Sequence, residues 1–413
     1  MVIKHTKSES TKRSFLTLDD VEVTGKTVLV RMDLNVPMVA GKVTDKTRII
    51  RLIPTLKELV QKKARVVILS HLGRPDGKFD PALSLAPLVD ELSVVMGGKV
   101  PVKFGVDSVG PAVHEAIKQL KAGEILLLEN LRYHPEEEAN KPSFAKALAA
   151  LGDIYINDAF SCAHRAHAST EGVAKLLPSA AGRLMQLELD MLESLFGDSK
   201  RPLAAVVGGS KISSKLALLE NLTSKVDFLI VGGAMANTFL LAQGHSVGTS
   251  LVEKNLISTA KRILLNAEKN GCVIVLPEDV IVSEQLKAQS NCRVVTVNHV
   301  PENGMILDIG PLSVMSVMRV LEQTRTLVWN GPLGAFETSP FDVGTASIAR
   351  MVAGLTSAKK LKSVAGGGDT VAALSHAGLA DAFSYLSTAG GAFLEWMEGK
   401  PLPGVVALQQ KRS

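Results

Sequence analysis

Four arginines, two lysines and a few acidic and glycine residues carry the chemistry legible in this sequence. Arg48 stands alone in its segment. Arg74 belongs to Ser70-His71-Leu72-Gly73-Arg74-Pro75, Arg132 to Glu129-Asn130-Leu131-Arg132, and Arg165 to Ala163-His164-Arg165-Ala166-His167. A guanidinium donates two parallel hydrogen bonds in one plane, which matches a phosphate. Any one of these arginines alone reads as surface charge. Four of them, beside strand ends or in His-rich loops, point to a pocket for a small anion. Arg31-Met32-Asp33-Leu34-Asn35-Val36-Pro37 adds an Asp–Asn pair that can accept from and donate to a hydroxyl-bearing substrate. The competing reading is a plain turn, since Asp, Asn and Pro are turn formers. A two-residue period predicts that Arg31, Asp33 and Asn35 share one face as the strand ends.

A second group of motifs has different chemistry. Val207-Gly208-Gly209-Ser210-Lys211-Ile212-Ser213-Ser214-Lys215 reads as strand, glycines, then helix. Glycines let a backbone approach its ligand, and a helix N-terminus favours negative charge. On a helix, Lys211 and Lys215 would share a face. Two stacked cations call for an anion between them; a solvated basic helix is the alternative. Trp329-Asn330-Gly331-Pro332 runs on to Glu337, and Gly366-Gly367-Gly368-Asp369-Thr370 follows later. That glycine run can form a backbone nest for phosphate oxygens, and Asp369 suits a nucleotide-bound Mg²⁺. A ligand-free glycine turn is the bland reading. Gly25-Lys26-Thr27 is no P-loop, because Asp20 stands where the first Gly belongs and a strand follows. There is no GxGxxG, and His164-Arg165-Ala166 is not the catalytic loop of a protein kinase.

These motifs need elements to hold them. Short apolar runs recur at 26–32, 64–70, 124–130, 153–159, 202–209, 226–233, 271–277, 326–332 and 362–368, between longer helical patterns. That alternation predicts an α/β fold with parallel sheets and helices on both faces. Most runs end in polar or Gly-rich clusters, and open parallel sheets bind ligands at the carboxyl ends of their strands. Residues 183–196, RLMQLELDMLESLF, have the spacing of an amphipathic helix before the breaker run GDSKRP. The expectation is two doubly wound, Rossmann-like lobes joined by that helix, with a cleft between them. The first lobe spans 1–184 and binds the small anion; the second spans 185–394 and binds a nucleotide.

Composition removes several alternatives. The chain has 413 residues, 46% hydrophobic and 21% charged, which fits two ordinary globular domains. A net charge of +5 is small for this length, and no basic run interleaved with aromatics argues for nucleic acid. Cys162, Cys272 and Cys292 share no CxxC spacing, so neither a disulfide frame nor a zinc site is expected. The first fifteen residues lack the apolar core of a signal peptide and read as a frayed polar tail. No membrane span is expected, and a cytoplasmic location follows.

Taken in order, RMDLNVP, SHLGRP, ENLR, NDAF, AHRAH, GGSKISSK, WNGPLGAFE, GGGDT and STAGGAF resemble the phosphoglycerate kinase family over essentially the whole chain. The resemblance implies that Asp33, Asn35, Arg48, His71, Leu72, Gly73, Arg74, Arg132 and Arg165 hold phosphoglycerate. It likewise implies Lys211, Lys215, Gly310, Asn330, Glu337, Gly367, Gly368, Asp369 and Thr370 for ADP or ATP, with Glu337 on the ribose and Asp369 on Mg²⁺. Arg48, Lys215 and Lys211 are then the catalytic cations of a carboxyl-directed phosphotransferase, acting as a monomer. Residues from about 395 would return to the first lobe. A different acyl-phosphate kinase, or a silent scaffold on the same fold, are the rival readings. The chain departs from the family pattern at Ala389 and Ala234, each in place of a glycine, and has a longer N-terminal tail. If position 389 needs a positive φ, Ala there costs on the order of 1–2 kcal/mol.

Overall fold

The computed structural model describes residues 13–197 and 199–409; of the fifteen residues expected to form a frayed tail, 1–12 lie outside them, while Phe15 is buried and bridged to Gln409, so the tail ends before it. The apolar runs form strands wherever nearly every side chain is buried, as in Thr27–Arg31 and Leu203–Val207, whose five residues are all buried. Strands covered on both faces read as continuous apolar segments, which is the mark of a parallel sheet under helices.

Among the described residues, those up to 189 together with those from 401 onward form one compact unit, and those between 190 and 400 form another. The first unit contains β1 (Thr27–Arg31), β2 (Arg65–Leu69), β3 (Val102–Gly105), β4 (Ile125–Leu128), β5 (Ile154–Asn157) and β6 (Ser179–Ala181), in the order β3-β4-β2-β1-β5-β6. All the pairings are parallel. Strand order reverses beside β1, whose Arg31 is in register with Leu69 and Asn157. That reversal opens a crevice at the carboxyl edge. The helix Thr47–Gln61 buries Ile49, Leu52, Leu56 and Leu59 at three- and four-residue spacing, and begins beside this edge.

The second unit contains β7 (Leu203–Val207), β8 (Phe228–Val231), β9 (Val273–Val275), β10 (Asp279–Ser283), β11 (Arg293–Thr296), β12 (Met305–Ile309), β13 (Thr326–Asn330), β14 (Lys362–Gly366) and β15 (Tyr385–Ser387). Its parallel sheet runs β9-β8-β7-β13-β14-β15, with the reversal between β7 and β13. The sequence did not announce the separate antiparallel sheet β11-β10-β12. Trp329 is fully buried in this unit's core, near Phe383, and its indole N–H donates to Gly331 O at 2.7 Å. Arg183–Phe196 is one helix, as its spacing predicts.

The chain returns to the first unit at Pro401 and not at 395. Helix Gly390–Met397 stays with the second unit, where Trp396 stacks on Phe196 and Met397 O accepts from Asn221. Beyond it, Gly404 N–H donates to Ala163 O at 2.9 Å, and Gln409 bridges to Phe15.

The substitutions for glycine carry no strain. Ala389 has φ −92° at the start of its helix, so the cost expected for a positive φ does not arise. Ala234 opens the helix Ala234–Ala242 and is not among the residues of positive φ.

Cys162, Cys272 and Cys292 are free thiols, the first two buried. Burial pushes the Cys272 thiol up to about 11 and raises Cys162 as well. Melting midpoints with and without reductant are therefore expected to agree, and a lower midpoint in reductant would reveal a bond. Among the described residues, no helix is long and apolar enough to cross a membrane.

Candidate active site

At the carboxyl edge of the first sheet, β1 ends at Arg31, so Asp33 and Asn35 lie in the loop beyond it. The backbone turn is locked by its own side chains. Asp33 Oδ1 accepts from Asn35 N–H at 3.0 Å, and Asn35 Oδ1 accepts from Gly73 N–H at 3.0 Å. Asp33 Oδ2 accepts from Arg48 Nη1 at 2.8 Å and from Ser161 Oγ at 2.5 Å. Arg48 also donates to Asn35 O at 2.9 Å. Thus Asp33, Asn35, Arg48 and the His71–Gly73 loop form one assembly.

The two-residue period predicted that Arg31 shares a face with Asp33 and Asn35; it does not. It is fully buried beneath the site, because the strand has ended and the chain has turned. Its guanidinium donates to Ser169 Oγ at 2.8 Å and to Met32 O, and reaches His71 Nδ1 at 3.1 Å. Burial, with Arg31 and Arg132 close by, holds His71 well below the ordinary histidine range, so the ring is neutral. With Nδ1 accepting from Arg31, the proton sits on Nε2 and can be donated to an anion. His167 is pulled down to about 4 by burial and by Arg31, Arg132 and Arg165.

Arg132 is 5% exposed and donates to Gly73 O at 2.7 Å, with Glu138 at 3.0 Å. Burial, opposed in part by Glu138, lowers its pKa, with Arg165 and Arg31 adding to the lowering. Arg165 Nε donates to His164 at 3.2 Å. Leu72 is buried, and its carbonyl accepts from Asn130 at 2.7 Å, which fixes the loop. Arg74 is exposed on the same loop. Asp33, His71 and Cys162 also bring three ligand types within 4.8 Å of one another. Arg31 reaches both His71 and Cys162, so the field there suits an anion better than an added cation. Sequence reasoning missed Arg31, Ser161 and Asn130 as supports. Ser161 follows NDAF directly, and Asn130 lies within ENLR, so their motifs were visible though their roles were not.

In the second unit, Gly208 and Gly331 cross at the reversal between β7 and β13. A Cβ on Gly331 would strike Gly208 O, and its φ of +99° also favours glycine. Lys215 threads this crossing: its ammonium donates to Gly208 O at 2.6 Å, Asn330 O at 3.1 Å and Asn330 Oδ1 at 2.6 Å. Burial brings Lys215 down to about 8, with Asp369 pulling the other way. The helix starts only at Leu216, so Lys211 and Lys215 do not stack on one helical face. Residues 212–215 form a turn, which leaves Lys211 exposed and Lys215 turned inward.

Gly367, with φ +99°, precedes the helix Gly368–His376, and a Cβ there would lie 2.7 Å from Asn330 Nδ2. The first turn presents Gly368 and Asp369 to solvent. Thr370 is instead occupied internally, accepting from Gly331 N–H at 2.7 Å and donating to Gly366 O at 2.8 Å.

A cavity of about 340 Å³ extends from this turn. Gly209, Ser210 and Asp369 line its polar end, and Glu337 is an exposed carboxylate in its lining. Leu251, Pro277, Leu286, Leu307 and Phe336 supply apolar wall suited to a planar base. Gly310 is not part of that lining. It lies against Asp279, whose carboxylate accepts from Leu312 and Ser313 N–H at 3.1 and 2.8 Å to cap the helix Pro311–Gln323; a side chain would collide with it.

Comparisons with known proteins agree with this geometry. The family model described as phosphoglycerate kinase matches residues 18–400. A phosphoglycerate kinase of Methylorubrum populi is 57% identical over 398 residues, covering 96% of this chain and 99% of that one. One from a Ruegeria strain is 57% identical over 393 residues, covering 95% and 99%. Among solved structures, phosphoglycerate kinase from Coxiella burnetii superposes with a TM-score of 0.89 at 43% identity, covering 97% of this chain and all of that one. The enzyme from Pyrococcus horikoshii gives 0.78 at 30% identity, covering 95% and 98%. With a family model matched over residues 18–400, relatives at 57% identity and the same two-unit α/β fold, this chain belongs to the phosphoglycerate kinase family.

Proposed function

We propose that the chain reversibly transfers the acyl phosphate of 1,3-bisphosphoglycerate to ADP, giving 3-phosphoglycerate and ATP. The observation that carries this reading is the division of labour between the sites. One has a neutral imidazole and converging guanidinium groups for a phosphorylated acid. The other has a buried lysine and an exposed Asp369 at the mouth of a base-sized cavity. The acceptor in the reverse direction is a carboxylate.

The nucleophile is a phosphate oxygen of ADP, already ionised at neutral pH, so no general base is required. Catalysis reduces to in-line positioning and to neutralising the transferring group's oxygens. Arg48 and Lys215 take that role, with Lys211 assisting from the exposed turn. Asp33, Asn35, His71, Arg74, Arg132 and Arg165 hold the phosphoglycerate. Asn330 and the Gly367–Asp369 turn hold the nucleotide phosphates. Asp369 fits a magnesium ion, since Mg²⁺ takes one or two carboxylates and completes its shell with phosphate and water oxygens. When bound, Mg²⁺ neutralises phosphate charge. Closure of the two units around both ligands belongs to this proposal, as does a monomeric, cytoplasmic enzyme. The test is a coupled assay for ATP made from ADP and 1,3-bisphosphoglycerate; no ATP above background would refute it.

Glu337 supplies uniform binding to ribose. Glu337→Ala is expected to raise the nucleotide KM while leaving kcat at saturation close to normal. A collapse of kcat under saturating nucleotide would overturn the assignment.

A further inference from the structure

Asp308, the penultimate residue of β12, lines the nucleotide cavity yet is 2% exposed. Its carboxylate sits in a slot shaped by two glycines. A Cβ on Gly334 would collide with its Oδ1, and one on Gly344 would come within 2.5 Å of it. Oδ2 accepts from Gly344 N–H at 2.7 Å, and Oδ1 from Ile309 N–H at 2.9 Å. Gly344 is in the first turn of the helix Val343–Ser357, so Asp308 ties that helix start to the end of β12.

The segment Leu333–Glu337 runs through the same junction and forms one wall of the cavity. Leu333 N–H donates to Thr345 Oγ1 at 2.9 Å, and Leu333 O accepts from Gly233 N–H at 2.8 Å. Ala335 N–H donates to Leu307 O at 2.8 Å. The bond to Thr345 ties this wall to the helix start and the bond to Leu307 ties it to β12, and Asp308 sets the spacing between those two elements.

We propose that Asp308 is a positioning residue for the nucleotide, whose ionised carboxylate holds the Leu333–Glu337 wall in its binding geometry, so that nucleotide binding releases a proton. This rests on the nucleotide reading of the cavity. A charged acceptor bonds amide hydrogens about twice as strongly as a neutral one. Protonation therefore loosens the tie to Gly344. Burial, with Asp342 at the start of the same helix, pushes the Asp308 carboxyl up to about 7. The other charged groups around the junction are few. Asp342 pairs with His376 at 3.5 Å, Asp279 on the adjacent strand is committed to capping Pro311–Gln323, and Glu337 is exposed in the cavity lining.

The sign follows from the competent form. If the ionised form binds nucleotide, affinity is full above the carboxyl's pKa and falls on acidification. For a group titrating near 7, about half the molecules are ionised at pH 7 and about one in eleven at pH 6, so the apparent KM for MgADP rises about fivefold between pH 7 and 6. Calorimetric titration of the full chain with MgADP at pH 7, under excess Mg²⁺ and in two buffers of different protonation enthalpy, is expected to show release of about 0.5 proton.

Asp308→Asn cannot titrate and places an amide against one of two N–H donors. It is expected to bind MgADP more weakly at pH 7, with a KM that no longer rises between pH 7 and 6 and no such proton release, and with KM changed more than kcat. Should the variant fail to fold, the wild-type proton count and pH profile still decide. A wild-type KM that is flat or falls on acidification would overturn the proposal, as would the same proton release in the variant. A chain that binds no MgADP at any pH would overturn the nucleotide reading itself, and this inference with it.

Discussion

Arg48→Ala is expected to lower kcat by at least ~10²-fold, about 2.7 kcal/mol of transition-state stabilisation, with a smaller change in KM. Arg48 stands in the first turn of Thr47–Gln61, and among the described residues its partners are Asp33 and Asn35 O, both reached through Nη1 alone. Its side chain is 36% exposed, which leaves part of the guanidinium fork accessible to a ligand. In the proposed function the phosphoglycerate has other ligands, so removing Arg48 would chiefly remove charge from the group in transit. Arg48→Lys tests the geometry: it keeps the charge and loses the planar fork, so only partial rescue is expected. Near-normal kcat in Arg48→Ala would place the residue outside the chemistry.

Lys215→Met should cost at least as much, on the order of 10²–10³-fold in kcat, the range for removing one preorganised donor. Three oxygens at 2.6–3.1 Å hold the ammonium before any ligand arrives. The pH dependence gives an independent reading. Burial has lowered Lys215 to about 8, so the cation is present below that pH and lost above it. Because kcat/KM reports the free enzyme, kcat/KM for MgADP should fall as pH rises through about 8. The Met variant should lack that alkaline limb. An unchanged limb in Lys215→Met would assign the titration to another group.

Sequence by itself determined the parallel strands that carry the sites and the kinds of residue at their ends. Runs such as TVLVR and LAAVV can be satisfied only where both faces of a sheet are covered, so pattern and architecture imply each other. The helix Arg183–Phe196 was legible for a similar reason, because its apolar spacing suits no other element. Candidate ligands followed, since strand ends are where such sheets bind. Some of the short or half-exposed strands were not legible: Val102–Gly105, Tyr385–Ser387 and the antiparallel β10–β12 lack a long enough apolar run to stand out.

Tertiary structure decided which of those residues face a ligand and in what state of charge. Arg31 and Arg132 have the same side chain, yet one is sealed beneath His71 and the other braces the loop at Gly73. Lys211 and Lys215 are four apart, but a turn in place of a helix leaves one in solvent and the other among carbonyls. Gly310 serves the cap made by Asp279, and Thr370 ties two loops together. None of this is local in the chain. Burial and charge come from residues tens to hundreds of positions away, and a pKa or a hydrogen-bond partner is set by distance in space, which no spacing along the sequence encodes.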